Sequence, residues 1–156
     1  MARSIYLASV EGHTAKSVVA LGVLRALKTK HKTIGVFRAV VPSRDSKDRV
    51  LELLLSNLPN KLDYQACIGV GYQELHESSE RALEVISQRY QKLATQCDAV
   101  LVIGSDYTDE AAPAELSFNA RVAANIGAPL LMVFSGRELD GSDTHLGQAP
   151  ARTPKK

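Results

Sequence analysis

Val10–Ser17 reads VEGHTAKS, and it follows the short apolar run Ile5-Tyr6-Leu7-Ala8. A segment with helical periodicity opens at its end. A strand, a turn carrying Gly, Thr, Lys and Ser, then a helix is the layout of a phosphate-binding loop (P-loop), G-x-x-x-x-G-K-[ST]. In such a loop backbone N–H groups, a Lys and a hydroxyl surround phosphate at the positive end of a helix. With Lys16-Ser17 registered on the end of that pattern, Val10 and Ala15 stand where its two glycines belong. Gly12 is the only glycine of the stretch, and it is out of register. The outline of a nucleotide site is present with its glycines replaced.

The flanking sequence supplies the layers that such a loop needs. Ser4 to Ser9 reads as a buried strand, short, apolar and ended by turn residues. Lys16 to Lys30 reads as a helix, with Val19, Val23, Leu24 and Leu27 at helical spacing and Thr14 placed to cap it. Thr33 to Phe37 is a second strand, after which Arg38 leaves at the carboxyl end. Ser46 to Asn57 follows as a helix with Val50, Leu51, Leu54 and Leu55 on one face, ended by Pro59. Tyr64 to Gly71 allows a short extended piece, Ala66 to Val70. One long helix is predicted from Tyr72 to Gln96, its inner stripe Leu75, Ser79, Ala82, Leu83, Ile86, Tyr90 and Leu93. AVLVI, Ala99 to Ile103, is the clearest buried strand. A helix from Pro113 or Ala114 to Asn125 is stopped by Gly127, and Leu130 to Phe134 is a fourth strong strand. Strands alternating with helices predict an α/β layer fold around a parallel sheet of about four strands. Residues 136–156 are poor in apolar side chains and carry Asp140, Ser142 and Asp143 among glycines and prolines. They read as a linker or disordered tail after a domain spanning 1–135.

Composition narrows the function classes. The chain has 156 residues, enough for one domain with a real core, and 45% of them are hydrophobic. Trp is absent and aromatics make up 5%, so base-stacking platforms are not expected. The 19 basic and 17 acidic residues leave a net charge of +2, and the Lys28/Lys30/Lys32 cluster does not interleave with aromatics. No nucleic-acid partner is expected. Cys67 and Cys97 form no C-x-x-C and have no nearby His at metal spacing, so they read as packed, reduced thiols. No apolar run reaches the roughly 20 residues of a membrane span, and no signal peptide is read. A soluble cytoplasmic protein is expected.

Several segments together resemble a known family. IYLASVEGHTAKSVVALGVLRAL, IGVFRAVV, YQELHE, CDAVLVIGSDYTD and PAELSFNARVAANIGAP stand in order along residues 3–135. They resemble the N-terminal domain of long bacterial phosphate acetyltransferases, especially the actinobacterial type. That domain is similar to dethiobiotin synthetase and its P-loop relatives. The resemblance implies a shortened P-loop-type sheet in the order second, third, P-loop and fourth strong strand. It also implies a parent whose absent C-terminal domain moves an acetyl group between coenzyme A and phosphate. The N-terminal domain of such parents is regarded as regulatory. It supports homo-oligomer assembly and responds to metabolites such as nucleotides and pyruvate. Its partners would be the remaining domains of the parent.

The candidate binding residues are Gly12, His13, Thr14, Ala15, Lys16, Ser17, Arg38 and Asp106. In a working loop the Lys16 ammonium bridges β- and γ-phosphates of ATP or another nucleotide. Ser17 and Asp106 would hold Mg²⁺, Asp106 because it closes the AVLVI strand, where ligands gather in open sheets. A Lys in the first turn of a helix meets a positive helix end, so an anion nearby relieves it. Ala15 opposes that reading, since its methyl stands where glycine lets the backbone approach phosphate. Glu11 either reads a second substrate, as in the dethiobiotin synthetase relatives, or marks a loop that no longer holds nucleotide. Asp98 and the mixed-charge run Arg44, Asp45, Lys47, Asp48, Arg49 are assigned to a turn and to a solvated helix start. His76 is assigned to the surface or to packing, and no catalytic residue is named. The expected function is a non-catalytic regulatory and assembly domain. The alternatives are a stand-alone ATP-dependent ligase of the dethiobiotin synthetase type and a scaffold with a vestigial P-loop.

Overall fold

A computed structural model describes residues 2–9, 15–105 and 112–134. Within α5, introduced below, side chains are described from Glu115 onward. Gly12, His13, Thr14 and Asp106, and the boundary expected at 135 with its tail, lie outside the described residues.

The elements run β1 (Arg3–Ser9), α1 (Lys16–Lys28), β2 (Ile34–Val41), α2 (Arg49–Ser56), a 3-10 turn (Tyr64–Cys67) and β3 (Ile68–Gly71). They continue with α3 (Tyr72–Glu77), α4 (Ser79–Ala94), β4 (Ala99–Ile103), α5 (Ala112–Asn125) and β5 (Leu130–Val133). The strands form one sheet in the order β3-β2-β4-β1-β5, and all four pairings are parallel. The order expected for the four strong strands is the one observed. The short extended piece is a true fifth strand, added outside β2.

Burial explains why these segments are strands. Every residue of β2 and of β4 is buried, the pattern of strands covered by helices on both faces. β3 reaches β2 through Gly69, where a Cβ would stand 2.2 Å from the Ala39 carbonyl oxygen. Ala82, Leu83, Ile86, Tyr90 and Leu93 form the buried face of α4, as the stripe predicts, whereas Ser79 is exposed. Phe37 meets Tyr90 edge to face at 5.9 Å.

Three boundaries differ from the sequence reading. The single helix expected over 72–96 breaks at Ser78, whose backbone is extended and whose Oγ accepts from Arg81 N at 3.3 Å. Serine competes with the helix for backbone hydrogen bonds, which makes it a cap. β2 continues through Arg38 to Val41, because β3 pairs with Arg38, Val40 and Val41. Arg38 therefore lies inside the strand. α2 begins at Arg49, where Asp48 Oδ1 accepts from Leu51 N at 2.8 Å. Gly127 ends α5 as expected, in the left-handed region at φ 66°.

Candidate functional site at the carboxyl edge of the sheet

Parallel strands all point their carboxyl ends to one edge, and the turn into α1 sits there. Lys16 is the first residue of α1, and Ala15 before it supplies no side-chain cap. The lysine is only 3% exposed. Its Nζ donates to the carbonyls of Gly104 at 3.1 Å and Ser105 at 3.0 Å, directly beyond β4. Ser17 follows it, half-buried.

Arg38 enters the same place from β2, whose Arg38 is in register with Ile103 of β4. Its Nη1 donates to the Gly104 carbonyl that Lys16 also uses. Its Nε pairs with Asp48 Oδ2 at 3.2 Å, both side chains under a tenth exposed. Asp48 therefore does not belong to a solvated run. It caps α2, neutralises Arg38, and donates its own N–H to the Tyr64 hydroxyl at 2.7 Å. Leaving a buried guanidinium without such a carboxylate costs several kcal/mol, on the order of 3–5.

A second buried polar group locks the other side of the β4 end. Asn119 of α5 is fully buried. Its Oδ1 accepts from the Tyr6 hydroxyl at 2.7 Å and from Ser105 N at 3.1 Å, and its Nδ2 donates to Ser105 Oγ at 3.2 Å. Gly104 is required beside it, since a Cβ there would stand 2.6 Å from Asn119 Oδ1. Burial raises the Tyr6 phenol well above its ordinary value, with the Arg38 charge pulling the other way. Ser9 ends β1, and its Oγ is buried with no hydrogen-bond partner.

The structure thus brings Lys16 and Arg38, both expected site residues, onto one carbonyl. It adds Asp48, Asn119, Tyr6, Ser105 and Ser9, which the sequence reading passed over. Two of these carried a signal, an Asn inside the apolar face of PAELSFNARVAAN and an Asp four residues before Glu52 at a helix start. Asp98 takes the turn role expected of it at the opposite edge, accepting from Thr33 N at 2.8 Å and Lys32 N at 3.1 Å. Tyr72 packs edge to face on His76. Among the described residues no helix is long and apolar enough to cross a membrane, and no three His, Cys, Asp or Glu side chains gather to hold a metal.

Residues 3–149 match a family model described as an AAA domain. The chain belongs to that AAA domain family. The domain is also similar to the phosphate acetyltransferase of Nitratidesulfovibrio vulgaris, 28% identical over 145 residues. That match covers 88% of this chain and 21% of the relative. The phosphate acetyltransferase of Synechocystis sp. is 29% identical over 140 residues, with 85% of this chain and 20% of the relative covered. The AAA domain described here therefore spans about a fifth of the length of the curated relatives it matches.

Proposed function

We propose that this AAA domain is a regulatory and assembly module of a phosphate acetyltransferase, and that it senses the phosphates of a nucleotide at the start of α1. The observation that carries the nucleotide reading is Lys16. It is a buried cation at the positive end of a helix, and its contacts include two backbone carbonyls. A nucleotide phosphate in the turn would draw Nζ from Gly104 and Ser105.

The other residues fit such a ligand in part. The orphaned Ser9 Oγ offers a hydrogen bond at the end of β1. Lys16 and the first amides of α1 would hold the phosphates, and Ser17 and Asp106 would hold Mg²⁺, which neutralises phosphate charge when bound. Arg38 serves by fixing the β4 end against which Lys16 rests. Ala15 and Val10, in place of the loop glycines, restrict how closely the backbone approaches. The reading is accordingly one of sensing, not of phosphoryl transfer.

The chain matches about a fifth of each relative, and in this reading the acetyl-transferring domain belongs to the rest of the parent. Purified chain is expected to form no acetyl phosphate from acetyl-coenzyme A and phosphate. It is expected to melt at higher temperature with Mg·ATP, and Lys16→Ala is expected to lose that shift. Turnover by the chain alone would overturn the non-catalytic assignment. An unchanged melting temperature in wild-type protein would favour the vestigial P-loop scaffold.

A further inference from the structure

The opposite flank of the sheet carries a cleft unrelated to Lys16. It has a volume of about 370 Å³ and runs along α4, the 3-10 turn and the loop after β2. Arg44, Arg89 and Lys92 line it with Asp63, Gln65 and Gln96. Arg89 and Lys92 lie one helical turn apart on α4, so they share a face. Three cations and one carboxylate line the cleft, and Asp63 Oδ2 also caps the 3-10 turn, accepting from Ala66 N at 3.3 Å.

Arg89 is the centre of the cleft. It is half-buried, and its Nη1 donates to the Ile68 carbonyl of β3 at 3.3 Å. Burial and then the neighbouring Arg44 charge lower its hold on its proton, with Glu74 acting the other way. Glu74 is itself shared. It accepts from Gly71 N at 2.7 Å and pairs with Arg44 only at 3.5 Å. Covering the outer edge of β3 accounts for one guanidinium on one carbonyl. It does not account for a second guanidinium and an ammonium lining the same cleft, both solvent-exposed, a cluster of positive charge that favours an anion.

We propose that this cleft binds a small phosphorylated metabolite, its phosphate on Arg44, Arg89 and Lys92. Guanidinium forks match phosphate oxygens bidentately, and Lys92 adds a point charge. The cleft is larger than a bare phosphate needs. Gln65 and Gln96 also line it and offer amides that can read hydroxyls of an attached sugar-like body. Two strands, β2 and β4, separate β3 from β1, so this site and the Lys16 turn lie on the order of 14 Å apart in the sheet. The proposal does not depend on nucleotide binding at Lys16.

The test is calorimetry on the full chain with ribose 5-phosphate, inorganic phosphate and ribose as probes. Ribose 5-phosphate should bind saturably, inorganic phosphate more weakly, and ribose not at all. Arg89→Gln should weaken ribose 5-phosphate about tenfold or more, the usual effect of losing a charge-assisted hydrogen bond. Because Arg89 also holds β3, Arg44→Gln serves as a second variant that leaves the Ile68 contact in place, and it should weaken binding likewise. No saturable binding of either phosphate probe overturns the proposal. So does binding that is indifferent to both arginine variants.

Discussion

Lys16 and Arg38 donate to the same oxygen, the carbonyl of Gly104, one from the first turn of α1 and one from the middle of β2. The two cations thereby fasten a helix and a strand to the end of β4. Asp48 pairs with Arg38, so the stability of this edge and its proposed response to an anion rest on one network.

Removing Arg38 leaves Asp48 buried without its countercharge. Arg38→Met should destabilise the chain by about 3 kcal/mol in urea unfolding. Asp48→Asn should cost a comparable amount, since it leaves the Arg38 guanidinium buried without its carboxylate. The double variant should cost clearly less than the sum, because the second change removes a charge that the first had orphaned. Additive losses would mean that the pair is not coupled.

The glycines separate by what a methyl would meet. Gly69→Ala drives a Cβ to 2.2 Å from the Ala39 carbonyl and 2.9 Å from Ile86, so β3 must move away from β2. A loss of about 3 kcal/mol or more is expected, at the upper end of overpacking costs. Gly22 lies within α1 with nothing within 4 Å, and Gly22→Ala should stabilise by about 1 kcal/mol. Equal effects at the two sites would contradict the packing described.

Burial pushes the Cys67 thiol up to about 12, with Cys97 and Asp63 adding to the effect. An unfolded thiol ionises near pH 8.5. The contribution to stability is therefore complete below that pH and is lost as pH rises through the interval up to about 12. The urea midpoint should fall above pH 8.5, and Cys67→Ala should flatten the fall. Cys67 should also resist thiol reagents at pH 8 until the chain unfolds.

Asp98 gives the acid counterpart. Hydrogen bonds from Thr33 hold its carboxyl below the usual carboxylate range. Its contribution is present above the unfolded value of about 3.9 and is lost as pH falls through the lower folded value. Asp98→Asn should remove part of the acid sensitivity below pH 4 and leave stability near pH 9 on the same slope as wild type.

Most of the sheet was legible because β4 is a continuous apolar run and β2 is one apart from Arg38, and because the Gly127 stop is a local signal. β3 was faint, since IGVG is four residues long and owes its place to Gly69 lying against Ala39, a contact remote in sequence. The break at Ser78 was written in Ser78-Ser79-Glu80, but the apolar stripe on either side stays nearly in phase and reads as one helix. Lys16 was found from its neighbours in the chain. Asp48 and Asn119 were not, because their partners Arg38, Tyr6 and Ser105 lie 10, 113 and 14 residues away and become neighbours only when the strands are laid side by side.

Calorimetric titration of the chain with ATP and Mg²⁺, run beside Lys16→Ala, tests the central claim most directly. Saturable binding by the wild-type chain that disappears in the variant is the predicted result. Absence of binding in both, or equal binding in both, would contradict a phosphate-sensing role for the start of α1.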